Sequence, residues 1–196
     1  MQKIIEKLTI PKVLLRYIIM TFTNVKTIEY LILNVKIMNV LDDYSKDILA
    51  KAKNGFVDNC QNGHLTVAQW LYSIGDIDIH ANNEEALAVS CSNGHLTVAK
   101  WLYSIGNVDI HANNEYAFVL SCYNGHLTVA KWLYSIGDID IHADNEYVFR
   151  WSCSNGQLTV AKWLYSIGNV DIHADRNHVF RFSNEKVLNW LNTIKN

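Results

Sequence analysis

Asn93–Gly106 reads NGHLTVAKWLYSIG, and Asn124–Gly137 repeats it unchanged. The string returns at Asn62–Gly75 with Gln69 in place of lysine, and at Asn155–Gly168 with Gln157 in place of histidine. Gly63, Gly94, Gly125 and Gly156 are spaced by 31 residues, as are Trp70, Trp101, Trp132 and Trp163. A fifth copy, RFSNEKVLNWL around Trp190, is four residues shorter than its counterpart RWSCSNGQLTVAKWL around Trp163. Self-similarity at such a period marks a stack of supersecondary units, none of which buries its apolar face alone.

Within one period the pattern predicts two helices and a connecting finger. Leu96, Ala99, Trp101, Leu102 and Ile105 recur at helical offsets, which places helix B over His95–Ser104. Gly106 follows the last apolar position and suits a left-handed helix end. A shorter helix A is predicted over Glu84–Ser92, with Asn83 as N-cap and Glu84 and Glu85 in the first turn, where carboxylates complement the helix dipole. Gly94 makes the tight turn between the helices, and the small Ser90 and Cys91 let helix A approach its neighbours. The stretch NVDIHAN (107–113) alternates apolar and polar residues, so an extended, projecting finger is expected.

These residues resemble the ankyrin repeat family. Asn93–Gly106 is similar to that family's NGH-L-x-V-V-x-L-L-L-x-x-G segment, and DIHAN to its D-V-N-A finger. The likeness covers residues 53 to 194. It departs in period, 31 where the family usually has 33, and in lacking the T-P-L-H turn, replaced by EALA (85–88), YAFV (116–119) and YVFR (147–150). The resemblance implies an all-α, helix-turn-helix solenoid with short projecting fingers over 53–196. It also implies a non-catalytic protein–protein interaction module that binds through its concave side. The W-L-Y-S ending and the lost T-P-L-H turn resemble the ankyrin arrays of amoebae and of the giant DNA viruses that infect them, which implies a host protein as partner.

Composition narrows the other possibilities. The chain has 196 residues, a net charge of −2, 49% hydrophobic and 18% charged residues. This is too apolar for disorder and carries no basic excess for nucleic-acid binding. The longest apolar run, Val13 to Phe22, is interrupted by Arg16 and is shorter than the ~20 residues of a membrane span. No signal peptide is legible, so an intracellular, cytoplasmic protein is expected.

Histidines and cysteines recur in register: Cys60, Cys91, Cys122 and Cys153; His80, His111, His142 and His173; His64, His95 and His126. Equivalent residues of stacked helices stand ~10 Å apart, whereas ligands of one zinc ion lie ~2.0–2.3 Å from it. No metal, disulfide, cofactor or catalytic pair is therefore expected. The cysteines are assigned to the core, the NGH histidines to hydrogen bonds between turns, and the tryptophans to packing between repeats rather than to base stacking.

What distinguishes the copies is helix A. Glu85 becomes Tyr116, Tyr147 and His178; Ala88 becomes Val119, Arg150 and Arg181; Val89 becomes Leu120, Trp151 and Phe182; Ser92 becomes Tyr123 and Ser154. This predicts a partner-binding face of Tyr116, Leu120, Tyr123, Tyr147, Arg150, Trp151, Arg181 and Phe182, rich in the Tyr, Trp and Arg that dominate binding hot spots. Drift after duplication and internal packing are the plainer accounts of the same variation. Phe118, Phe149 and Phe180 in this segment are assigned to the core.

Residues 1–52 break the period. Asn24–Leu31 (NVKTIEYL) resembles helix B with Tyr30 in the tryptophan place, and Ser45–Gly55 (SKDILAKAKNG) reads as a helix A, so the segment is expected to be a degenerate capping repeat. Ile10–Phe22 (IPKVLLRYIIMTF) also resembles the opening of an F-box. That resemblance implies docking to a ubiquitin-ligase adaptor subunit, with the array holding the target. An amphipathic capping helix would read the same way.

Overall fold

The computed structural model describes residues 55–73 and 77–195, so the expected capping repeat at 1–52 and the F-box-like segment 10–22 lie outside the described residues. The described residues form ten helices and no strand: α1 (55–61), α2 (Leu65–Ser73), α3 (Ala81–Ser92), α4 (Leu96–Ile105), α5 (Ala112–Tyr123), α6 (Leu127–Ile136), α7 (Ala143–Ser154), α8 (Leu158–Ile167), α9 (Ala174–Phe182) and α10 (Glu185–Ile194). Odd-numbered helices are the A helices and even-numbered ones the B helices. Each A helix from α3 onward packs on its own B helix, and α3, α5, α7 and α9 pack in series on one another. The expected helix-turn-helix solenoid is what forms.

Helix B keeps its sequence because it serves the core in every copy. Val98, Ala99 and Leu102 are at most 1% exposed, and so are Val129, Ala130, Leu133 and Val160, Ala161, Leu164. Burying one such aliphatic side chain is worth ~1.5–3 kcal/mol, and repetition multiplies the gain along the stack. From helix A the core takes Phe118 and Phe149, while Phe180 in the last repeat is only partly buried. Ser90 is fully buried, its hydroxyl donating to the Ala86 carbonyl at 2.7 Å and approaching that of Cys60 at 3.3 Å. A small side chain here satisfies its own polarity while admitting the neighbouring helix.

The tryptophans pack between repeats, as expected. From Trp101 onward each half-buried indole of this series meets, edge to face, the tyrosine of the preceding B helix: Tyr72 on Trp101, Tyr103 on Trp132, Tyr134 on Trp163 and Tyr165 on Trp190, with centroids 5.7–5.9 Å apart. Phe56, Phe118 and Phe149 add a second ring against Trp101, Trp163 and Trp190 at 6.2–6.3 Å. Trp132 has no such partner, because Leu87 stands where the other copies have phenylalanine.

The turns differ from expectation in three places. Gly94 has φ +78°, as a tight turn requires, but its neighbour supplies the second reason for glycine: a Cβ here would sit 2.5 Å from Nδ1 of His126 in the next repeat. The NGH histidines thus pack their rings on the preceding repeat's turn, where hydrogen bonding between turns was expected. Gly106 is extended (φ −155°, ψ 169°), not left-handed, and a Cβ on it would lie 2.6 Å from Cδ1 of Ile79, so close packing is what requires glycine there. The finger is a loop whose Val108 and Ile110 are buried and whose Asp109 is exposed.

The helix A start is the third difference. Asn82, Asn83 and Glu84 are all left-handed, with φ of 53°, 57° and 63°, so regular right-handed helix begins at Glu85 and Asn83 is no N-cap. The same three-residue turn recurs at 113–115, 144–146 and 175–177. Left-handed backbone costs about 1–2 kcal/mol for each residue with a Cβ, least for Asn and Asp. Hydrogen bonds offset it. Asp78 Oδ1 accepts the His80 N–H (2.9 Å), Glu84 Oε1 meets His80 Nδ1 (2.7 Å), and the same oxygen accepts the Asp109 N–H of the next repeat (3.1 Å). This histidine–carboxylate clamp immediately precedes residues 85–88, which replace the T-P-L-H turn.

Candidate functional site

Helices α5 and α7 lie side by side and leave an open groove of about 480 Å³ between them. Tyr116, Val119, Leu120 and Tyr123 line it from α5, with Asn113 and Asn114 at its left-handed turn; Asp144, Tyr147 and Trp151 line it from α7. The structure therefore brings together five of the eight residues expected on the partner face: Tyr116, Leu120, Tyr123, Tyr147 and Trp151. Tyr116 is 43% exposed and Trp151 38%, as open as the B-helix tyrosines Tyr103, Tyr134 and Tyr165. The Trp151 ring lies 5.6 Å from that of Tyr147 and 5.9 Å from that of Tyr123, both tilted, so the aromatics form one continuous wall.

The groove is held by bonds that cross repeats. Asn155 Nδ2 donates to the Tyr123 carbonyl at 2.7 Å, which ties the end of α5 to the turn after α7. Arg150 does not join the open face. It is 8% exposed, its Nε donating to the Asn145 carbonyl (2.7 Å), Nη2 to the Asp144 carbonyl (2.9 Å) and Nη1 to Asp175 Oδ2 of the next repeat (2.7 Å). An arginine can be buried when all edges of its guanidinium are met. It braces the turn that carries Asp144 rather than offering a contact to solvent. Arg181 and Phe182 are exposed on α9, outside the groove, with the guanidinium 5.0 Å from the phenyl centroid.

Asn113, Asn114, Val119 and Asp144 were not among the expected residues. A signal for Asp144 does exist in the sequence: Asn82 and Asn113 become Asp144 and Asp175 in the same copies that replace Ala88 and Val119 by Arg150 and Arg181. Of these, Arg150 binds Asp175 across the repeat boundary, while for Asp144 the equivalent position in the preceding copy is Val119, which offers no such partner.

The other polar groups serve the scaffold. Hydrogen bonding to Glu84 and Glu115 holds the pKa of His80 and His111 above the ordinary 6.5, with the nearby carboxylate charges reinforcing it. Burial lowers that of His178, and the charge of Arg150 adds to the shift. All four cysteines are buried free thiols, and burial pushes those of Cys60, Cys91 and Cys153 up to about 12. Thiols so held are packing groups, not nucleophiles. Among the described residues no cluster of three or more His, Cys, Asp or Glu side chains is placed to hold a metal ion, and no helix is long and apolar enough to cross a membrane.

A stack of helix pairs, one of whose junctions carries an aromatic groove, is a repeat-built helical scaffold. Residues 56–145 match the family model for ankyrin repeats, in three copies. Such repeats generally mediate protein–protein interaction and are typically non-catalytic. No curated protein matches the chain.

Proposed function

We propose that this chain is a non-catalytic binding protein that takes a segment of a partner protein into the groove between α5 and α7. The observation that carries this reading is the convergence on one open groove of five of the eight residues expected on the partner face because they vary between otherwise near-identical copies. Helix B is held constant by packing, so variation that gathers four aromatic rings at one exposed junction has a use that packing does not supply. The resemblance to arrays of giant viruses and amoebae supports a host protein as that partner, and a cytoplasmic meeting place.

The test is quantitative affinity capture from lysate with the wild-type chain beside the Tyr147→Ala/Trp151→Ala variant. Proteins retained by the wild type and lost by the folded variant are the expected result; identical retention by both would overturn the groove reading. The likeness of Ile10–Phe22 to an F-box supports a second reading, that of an adaptor delivering its target to a ubiquitin ligase. Ligase subunits retained by the wild type and lost on Leu14→Asp/Ile18→Asp would favour it.

A further inference from the structure

We infer that the groove between α5 and α7 selects a lysine or arginine side chain of the segment it binds, with Asp144 as counter-charge and the rings of Tyr116, Tyr147 and Trp151 around the cation. This rests on the proposed groove function and adds the chemistry of the occupant. The lining holds four aromatic rings, two aliphatic side chains, two amides and one charged group, Asp144, with no cation among them. Asp144 is exposed and forms no ion pair among the described residues. Its carbonyl is gripped by Arg150 at 2.9 Å, and its backbone is left-handed (φ 49°), so the carboxylate is carried on a fixed turn. Arg150 lies 6.0 Å from the Tyr147 centroid, but its charge is met by Asp175 at 2.7 Å. What remains facing the groove is negative and aromatic.

Only one class of side chain suits both properties. A purely apolar segment would cover Asp144 and strip its water without giving it a partner, and an acidic one would repel it. A cation gains from the carboxylate and from the negative faces of the rings together. The volume of about 480 Å³ falls within the ~300–1,000 Å³ range of sites that enclose a recognised group. The neighbouring junctions lack the combination. Between α3 and α5 the corresponding residues are Glu85, Val89, Asn113, Tyr116 and Leu120, with a single aromatic ring; between α7 and α9 they are Tyr147, Trp151, Asp175, His178 and Phe182, and there the carboxylate of Asp175 is taken by Arg150. Among the described residues, the α5–α7 junction is the one that joins an unpaired carboxylate to several exposed rings.

Random seven-residue peptides displayed on phage and panned on the full chain test this, with Asp144→Asn and Trp151→Ala as comparison baits. Asparagine already occupies this place as Asn82 and Asn113, so Asp144→Asn keeps a residue the turn accepts, and its urea midpoint checks this. The expected result is enrichment of Lys or Arg at one peptide position. Asp144→Asn, or norleucine at that position of a synthetic peptide, then weakens binding by roughly three- to thirtyfold, the range of single cation–aromatic contacts. Peptides that depend on Trp151 but are apolar, and bind equally well to Asp144→Asn, would overturn the cation selection and leave the groove standing. Peptides indifferent to Trp151→Ala, or no enrichment at all, would overturn both.

Discussion

Arg150 and Asp175 stand 25 residues apart and close a clamp across two repeats, with Nη1 2.7 Å from Oδ2. Asp175 is 48% exposed by side chain, so the ion pair itself contributes little. More depends on the two carbonyls, of Asp144 and Asn145, that the buried guanidinium satisfies. Arg150→Ala is expected to lower stability by ~1–3 kcal/mol in urea unfolding, whereas Asp175→Ala costs less. Equal small effects would show that the arginine is not needed inside. Arg150 is therefore unsuited as a probe of partner contact.

Gly94→Ala is expected to destabilise by ~1–3 kcal/mol, from the positive φ and from the collision with His126. Adding His126→Ala separates the two causes. The ring's share should be recovered in the double variant while the backbone share persists, so the two losses should not add. Strict additivity would mean that the imidazole does not press on this turn.

Trp163→Ala should cost more than Trp132→Ala, although the two lie in 14-residue strings that differ only at His126 and Gln157. Both lose a tyrosine edge, but Trp163 also loses Phe118 at 6.3 Å, where Trp132 faces Leu87. The difference expected from one aromatic pair is ~0.5–1.5 kcal/mol. Chemical denaturation of both variants, and of Leu87→Phe, measures it directly.

The clamp histidines make stability depend on pH in a definite direction. Because pKa in the folded state is raised for His80 and His111, their contribution is complete below about 6.5, the unfolded value, and is lost as pH rises through the folded values. His178 acts oppositely: its lowered value removes stability as pH falls through it. The informative quantity is thus the wild type minus His80→Gln/His111→Gln difference in urea midpoint, followed from pH 5.5 to 8 in roughly half-unit steps. It should be largest at the acid end and shrink as pH rises. A difference that grows with pH would contradict the assigned pairing.

Helix B was legible because each of its positions touches the same partners in every copy, so Val98, Ala99 and Leu102 carry one unambiguous period. The groove was legible for a related reason. Tyr116, Tyr147 and Trp151 change where the scaffold does not require constancy. What escaped depended on a neighbour 25 to 32 residues away. An arginine beside exposed aromatics looks exposed until Asp175 is found opposite it. A glycine after a helix looks left-handed until Ile79 is found against it. Three left-handed residues in a row have no local signature when the third is a glutamate stabilised by Asp109 of the following copy.

The glycine–histidine contact, the glutamate clamp and the tyrosine–tryptophan edge each join one copy to the next and to no other. Recombination that excised 31 residues between equivalent points of two copies would rejoin the chain at a seam of a kind it already contains. Array length is thus free to change in a single genetic event without a new interface having to be found. The aromatic groove is not so protected, since it exists only while α5 and α7 are adjacent.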